Sequence, residues 1–502
     1  MYFLIQSFLL LLSLPASRGA VQPSEATQAC QLLRSILPSQ IFFPGSLNYN
    51  SSISSYAFVG TRLLPTCLAA PRSTNDVVAI VKVLSNFPTV AFAVRSGGHN
   101  TNKGFADIED GVTIDMTAMN SIWFQPAANV VSVGTGARWQ SVYDALDNDG
   151  RNLAVQGGRN GAVGVGGFLT GGGIGFFSPE RGWACDSVVN FRVVLSTGQV
   201  VDANAKSNTD LFTALKGGLN NFGIVTRFDL KTFEQGPMWG GLILYPNSTD
   251  EVLLDTLHAF KDPANFDPHA MFTFGFVYDT SKGLSTGNIA MYHTRPELVN
   301  GSTLEWFAKV QPQLHNTLRI GAPAFLSREE DQSAVITPHY MHWSTTTLAV
   351  SRPALHRIHE SFKRTSYSLE AQYASANLTM AISIQSVPAA APASNPNSLG
   401  FSPLSHPETD LLNIGLAFQY DNPAASEGLE QAIKVLTSDI DKIAIEEGVQ
   451  DPHIYLNYAG DWQDVFAGYG RESLERMRAV SMKYDRSGMF QRQVRGGFKL
   501  SS

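Results

Sequence analysis

Gly157 to Gly175 reads GGRNGAVGVGGFLTGGGIG, with glycine at ten of nineteen positions, where a share near ~7% is usual. A flexible linker this rich in glycine would be polar and serine-bearing. Here Val163, Val165, Phe168, Leu169 and Ile174 are interleaved, so the segment is expected to be packed, with something large lying flat against its backbone. It lacks the strand-before, helix-after spacing of a dinucleotide fingerprint, and no Walker lysine follows. Some sixty residues upstream, the apolar run Val90–Val94 leads into Arg95-Ser96-Gly97-Gly98-His99-Asn100. The run predicts a short buried strand. The paired glycines allow a tight turn that a ligand can approach closely. Successive N–H groups in such a turn form an anion-binding concavity, and Arg95 would add a bidentate donor. His99 stands at its mouth, where a nitrogen nucleophile can meet whatever the turn holds. Taken alone, a histidine after Gly-Gly is more often a structural turn residue.

Three further pieces follow in order: GWACD (182–186), ALKGGLNNFGIVT (214–226) and YLNY (455–458). With RSGGH (95–99) and the glycine belt, this ordered set resembles the flavoproteins of the p-cresol methylhydroxylase/vanillyl-alcohol oxidase superfamily. The chain is similar to the secreted fungal kind of berberine-bridge-enzyme-like protein, from about Leu63 to Phe233 and again from about Ile454 to Leu500. The resemblance implies an α+β fold, with a two-part PCMH-type FAD-binding domain and a substrate domain in which helices cover an antiparallel sheet. The expected division is a signal peptide over 1–19, an N-terminal helix and lead-in over 20–62, the FAD-binding domain over 63–234, the substrate domain over 235–450 and a completing segment over 451–502.

The same resemblance assigns residues. His99 would carry the 8α-methyl group of FAD as a covalent histidyl link. Arg95, Ser96, Gly97, Gly98 and Asn100 would hold the pyrophosphate. Val163, Gly164, Gly166, Gly167, Thr170, Gly171, Gly172 and Gly173 would lie along the isoalloxazine and ribityl, with Gly223, Ile224 and Val225 near the adenosine half. Many relatives have a second, cysteinyl attachment just before the belt; Asn160 occupies that place, so a single bond through His99 is expected. Related carbohydrate oxidases use a tyrosine in a Tyr-x-Asn-Tyr strand, which nominates Tyr458, then Tyr455, to deprotonate the substrate, with Asn457 on the cofactor. A phenol near pKa ~10 needs a cation or a buried partner to act as a base. Residues three apart on a strand face opposite ways, so both tyrosines can reach the flavin only if the strand bulges or ends there.

The remaining chain fits this picture. Residues 1–19 are apolar and end in small residues suited to cleavage before Ala20, too short to span a bilayer. A secreted protein without membrane partners is expected. Across 502 residues, 44% are hydrophobic and the net charge is −7, leaving room for a large core and offering no basic cluster for nucleic acid. Sequons stand at Asn50, Asn247, Asn300 and Asn377. Cys30, in a helix expected over Ser24–Leu37, and Cys67 are the expected disulfide, as in relatives, with Cys185 a buried thiol. Asp210 is expected to cap a helix through Leu215, and Pro388–Pro403 to form a surface loop or lid. His339/His342 and His356/His359 match no metal motif, and no metal is expected.

The leading functional expectation is a monomeric FAD-linked oxidase acting on a small organic molecule. Hydride would pass from the substrate, an intermediate of fungal secondary metabolism, to the flavin, and O2 would reoxidise it. A secreted carbohydrate or alcohol oxidase, a dehydrogenase with another acceptor, and a catalytically silent flavin-binding protein are the other readings.

Overall fold

Ser73 accepts a hydrogen bond from the Asp76 backbone N–H, and the Asp76 carboxylate accepts from the Ser73 N–H. This capping box starts the helix Thr74–Leu84, whose Val77, Ile80, Val81 and Leu84 are buried on one stripe, as helical spacing requires. The helix crosses from the strand Cys67–Ala69 to Phe92–Arg95, and both pair in parallel with Val112–Asp115. Ile41–Phe42 closes this four-stranded sheet antiparallel. The computed structural model describes residues 23–297, 302–333, 339–389, 391–400 and 411–500. The expected signal segment and the sequon at Asn300 lie outside these residues, while Asn50, Asn247 and Asn377 are exposed.

At the N-terminal edge the helix Glu25–Ile36 buries Ala26, Ala29, Cys30 and Leu33. The Cys30–Cys67 disulfide is formed, with its Cα atoms 6.0 Å apart. A second, five-stranded antiparallel sheet runs in the order Ile122–Gln125, Val130–Gly134, Ile224–Lys231, Val188–Val194, Val200–Asn204. Its last two strands form the hairpin signalled by Ser196-Thr197-Gly198. The helix Thr209–Leu215 follows, but Asp210 is not its cap. Asn208, in the left-handed region at φ 50°, holds that position without a side-chain bond. Asp210 instead accepts from Lys483 and Tyr484.

The middle of the chain builds a nine-stranded sheet whose pairings are all antiparallel among the described strands. Alternation divides its residues between two faces. Phe272, Phe274, Phe276, Ile382, Ile384, Ile414, Leu416 and Phe418 bury one face beneath the helices Asp250–Phe260, Arg352–Tyr373 and Ser426–Glu446. The other face is small and polar: Thr273, Gly275, Ser383, Gln385, Asn413, Gly415 and Thr345 sit in register across neighbouring strands. It looks towards the glycine belt. The architecture is α+β; these three helices cover one face of the large sheet, and the helix Pro323–Ser333 packs at the other, where its Glu330 accepts from Tyr292.

The chain end returns to the first sheet. Gln493 O accepts from Phe92 N–H at 2.9 Å, and the Gln493 amide reaches the carbonyls of Leu84, Phe87 and Val90. The segment expected as a surface lid is pinned where it is described. Asn395 and Asn397 bond to Asp186, Ser398 N–H donates to Lys216 O, and Leu399 is buried. Asn395 serves a backbone carbonyl and Asn397 a carboxylate, so 397–399 is tied into the interior while 392–394 and 396 stay exposed as a surface loop.

Candidate functional site

The two glycine stretches touch. A Cβ on Gly97 would stand 2.5 Å from Gly164 N and 2.6 Å from Gly164 Cα, well inside van der Waals contact. Ser96 Oγ clamps the seam, donating to Thr135 O at 2.7 Å and accepting from Gly166 N–H at 3.1 Å. Arg138 clamps it again, donating to Gly97 O at 2.7 Å and to Ala162 O. Main-chain bonds Trp139 N–H to Val163 O and Val165 N–H to Ala137 O tie the belt to the start of the helix Trp139–Asn148.

His99 sits against the edge of Phe58, ring centres 5.5 Å apart. Its Nδ1 is buried and has no hydrogen-bond partner among the described residues. Burial, then the charges of Arg138 and His339, bring its pKa down to about 4. The imidazole is therefore neutral at physiological pH, with a lone pair available. An orphaned nucleophilic nitrogen at a glycine seam fits a flavin methyl edge.

The belt serves more than one purpose. Gly157 and Gly158 leave room for Trp139, whose ring would lie 2.5 Å and 2.9 Å from their Cβ atoms. Gly164, Gly166, Gly171, Gly172 and Gly173 likewise face protein atoms: Gly97, Thr135, Asn457, Trp183 and Phe168 in turn. Of the belt glycines expected along the isoalloxazine, Gly167 alone would carry a Cβ into open space, with nothing within 4 Å. Val163 donates to Asn160 O and Thr170 Oγ1 to Gly166 O. The belt's carbonyls at Gly172 and Gly173 accept from Cys185 and Ala184, which anchors the GWACD turn.

Arg95 departs from its expected role. It is fully buried, donates to Ser52 and Ser55, lies 3.4 Å from Asp115 and stacks over Tyr56 at 3.9 Å. Its charge holds the strand end to the helix Leu47–Ser54 rather than awaiting a pyrophosphate. Gly98 turns at φ +67° directly above that guanidinium, where a side chain is both strained and obstructed. Asn100 Oδ1 accepts from Asn102 N–H, fixing the exit of the turn. Gly223 packs on Val193, and Ile224 and Val225 are interior strand residues paired with Val194 and Val193. Thr226 O, next along, accepts from Thr135 N–H beneath the Ser96 clamp.

The expected YLNY strand is a short 3-10 turn, Leu456–Tyr458. That change of backbone removes the opposite-faces difficulty, and the rings of Tyr455 and Tyr458 stand 4.9 Å apart. Their hydroxyls differ in employment. Tyr455 Oη accepts from Ile174 N–H and from the Asn457 amide, each at 3.1 Å. Burial, then Tyr458, pushes its pKa up, the wrong direction for a base. Asn457 also donates to Phe168 O at 3.1 Å, so it braces the belt. Tyr458 is half-buried and packs its ring on Trp343 at 4.5 Å, over Gly415 of the large sheet.

Arg159, inside the belt beside Asn160, belongs to none of the motifs that the sequence assigns to the cofactor. It is 7% exposed and donates from Nη2 to Gln385 Oε1 at 2.9 Å. Gln385 continues to Asn413 at 3.5 Å, and Asn413 to Thr345 at 2.6 Å. Glu330 lies 3.9 Å from Arg159 Nε and accepts from Tyr292. The one available signal was a lone arginine inside a belt otherwise small or apolar. Among the described residues no group of three or more His, Cys, Asp or Glu could hold a metal ion, and no helix is long and apolar enough to cross a membrane.

Residues 65–204 match the family described as FAD binding domain. The FAD-dependent monooxygenase sdcF of Emericella nidulans is 36% identical over 479 residues, which cover 94% of this chain and 98% of that protein. Among solved structures, xylooligosaccharide oxidase from Myceliophthora thermophila superposes with a TM-score of 0.75 at 19% identity, covering 94% of this chain and 99% of the other. Glucooligosaccharide oxidase from Acremonium strictum, which carries 6-S-cysteinyl, 8α-N1-histidyl FAD, has a TM-score of 0.72 at 20% identity, covering 95% and 99%.

Proposed function

Since the chain belongs to the FAD-dependent oxidoreductases of the berberine-bridge-like, PCMH-type family, we propose that it is an oxidase holding FAD by a single bond through His99. Its substrate is a small organic molecule, an intermediate of fungal secondary metabolism, and O2 is the final acceptor. The observation that carries this reading is the neutral His99 ring with its unpartnered Nδ1 at the Gly97–Gly164 seam. The Acremonium enzyme is linked through the N1 of a histidine, which agrees with the orphaned atom here. Asn160 at the cysteinyl place leaves one link.

FAD, when bound, supplies the acceptor for the two electrons that leave the substrate. The chain's part is placement and proton handling. Gly167 offers an open backbone face, Ser96 and Arg138 keep the two turns locked, and Asn457 holds the belt from behind. Tyr458 takes the substrate's proton, because its hydroxyl is not spent on the belt as that of Tyr455 is. Passage through the secretory route is part of the same proposal and is supported by the Cys30–Cys67 bond.

A second reading, an oligosaccharide or alcohol oxidase, is favoured by the polar row Gln385, Asn413 and Thr345.

The test begins with acid precipitation of purified protein. Yellow colour should stay with the pellet, and His99→Ala should release it to the supernatant. Soluble flavin from the unmutated protein removes the covalent link, and colourless protein removes the whole proposal. Turnover under 18O2 then separates the outcomes: label in peroxide supports an oxidase, label in product a monooxygenase.

A further inference from the structure

Arg159 enters the space between the glycine belt and the polar face of the large sheet. A guanidinium carries five N–H donors in a planar fork. Here one nitrogen, Nη2, reaches Gln385 at 2.9 Å. Nε and Nη1, with three donors between them, are buried and find no acceptor among the described residues. Glu330, at 3.9 Å from Nε, stands beyond hydrogen-bonding distance and is held by Tyr292. Leaving a buried charge this short of partners is costly. The arrangement is stable in use if an acceptor arrives with the ligand.

We propose that Arg159, braced by Gln385, binds an ionised oxygen of the substrate, a carboxylate or a phenolate. It orients that molecule between the glycine belt and Tyr458. This rests on the oxidase reading above and narrows it: the substrate is an organic acid or an acidic phenol rather than a neutral sugar. Three features agree. The fork geometry suits two oxygens or two lone pairs on one oxygen. Gln385 is fixed by its bond to Asn413, so the guanidinium is held in one orientation. Burial opposes the charge of Arg159, but Tyr458, Glu330, Tyr292 and Tyr455 together hold its pKa above the ordinary arginine value, so the cation persists. Tyr458, the proposed base, is thus within electrostatic reach of Arg159.

Calorimetric titration of the flavin-loaded protein tests this with three probes: benzoate, its neutral isostere benzamide, and 4-cyanophenol at alkaline and at mildly acid pH. Benzoate, or ionised 4-cyanophenol, should bind about tenfold or more tightly than its neutral counterpart, the usual scale for hydrogen bonds to a charged group. Which of the two gains more identifies the oxygen source. Arg159→Met should bring the charged-to-neutral ratio to about one while leaving benzamide within threefold, and Arg159→Lys should restore part of it, since a point charge lacks the fork. Gln385→Leu keeps the charge but frees the fork, and should lower the ratio severalfold; it carries the test if Arg159→Met fails to fold. Equal binding of charged and neutral probes to the unmutated protein, or binding of neither, overturns the proposal. Flavin absorbance separates the failures: a yellow protein blind to charge sinks this inference alone, and a colourless one sinks the flavin reading.

Discussion

Replacing Gly97 by alanine probes the seam on which the flavin reading depends. The new Cβ would lie 2.5 Å from Gly164 N and 2.6 Å from Gly164 Cα. Contact between such atoms is comfortable near ~3.5 Å, so the two turns must separate by about 1 Å. Both neighbours are backbone, and no side chain can swing aside. The Arg138–Gly97 bond at 2.7 Å and the Ser96–Gly166 bond at 3.1 Å cross the same seam and would stretch with it. Overpacking of this kind costs about 2–3 kcal/mol, equivalent to roughly 30- to 150-fold in an equilibrium constant. Purified Gly97→Ala should show a clear loss of flavin per protein by visible absorbance, and a melting temperature lower by a few degrees. Gly167→Ala is the matched control. Its Cβ meets nothing in the protein, so flavin-free Gly167→Ala should melt with the unmutated chain and lose only flavin occupancy. Full flavin content and an unchanged melting temperature in Gly97→Ala would refute the seam as the cofactor's anchor.

The two tyrosines should part company. Tyr455→Phe removes the acceptor of Ile174 N–H and one of the two acceptors of the Asn457 amide and should cost about 1–3 kcal/mol in urea unfolding. Tyr458→Phe should leave stability alone and lower turnover by about 100-fold or more; a fall in stability with intact turnover would reverse the assignment. In flavin-free protein, His99 titrates at about 4 when folded against 6.5 when unfolded. The unfolded chain therefore binds the proton first, and stability drops as pH falls through that window, by roughly 1.4 kcal/mol per unit and about 3 kcal/mol in all. Urea midpoints of His99→Asn should be flatter than those of the unmutated protein between these pH values, and parallel curves would contradict the burial. Cys30→Ser opens a loop of 37 residues and should destabilise by about 4 kcal/mol in the chain-entropy account, read as a lower melting temperature that reducing agent does not lower further.

What could be read in advance was chemistry carried by local spacing. The capping box at Ser73, the Ser196-Thr197-Gly198 hairpin and the glycine seam all declare themselves within a few residues. The misreadings have a common cause in distant partners. Arg95 reads as an anion donor until Ser52, Ser55 and Asp115 take its donors. Asp210 reads as a cap until Lys483, far along the chain, claims its carboxylate. The 391–400 stretch is the loop its composition announces, but Asn395 and Asn397 pin it to Asp186, which that composition does not reveal. Arg159 carries no local signal of its role because its partners Gln385 and Glu330 lie more than one hundred residues away. Four of the ten belt glycines answer to Trp139, Asn457 and Phe168, so part of the glycine density serves the protein's own packing.

The side-chain amide of Gln493, reaching three carbonyls between Leu84 and Val90, makes the strand before His99 depend on a residue some four hundred positions later. The strand that delivers His99 also leaves its first N–H for Gln493 O to collect, and Ala459 O collects Asn102. A ribosome-bound chain lacking its last fifty residues would thus present the histidine on an unfinished edge.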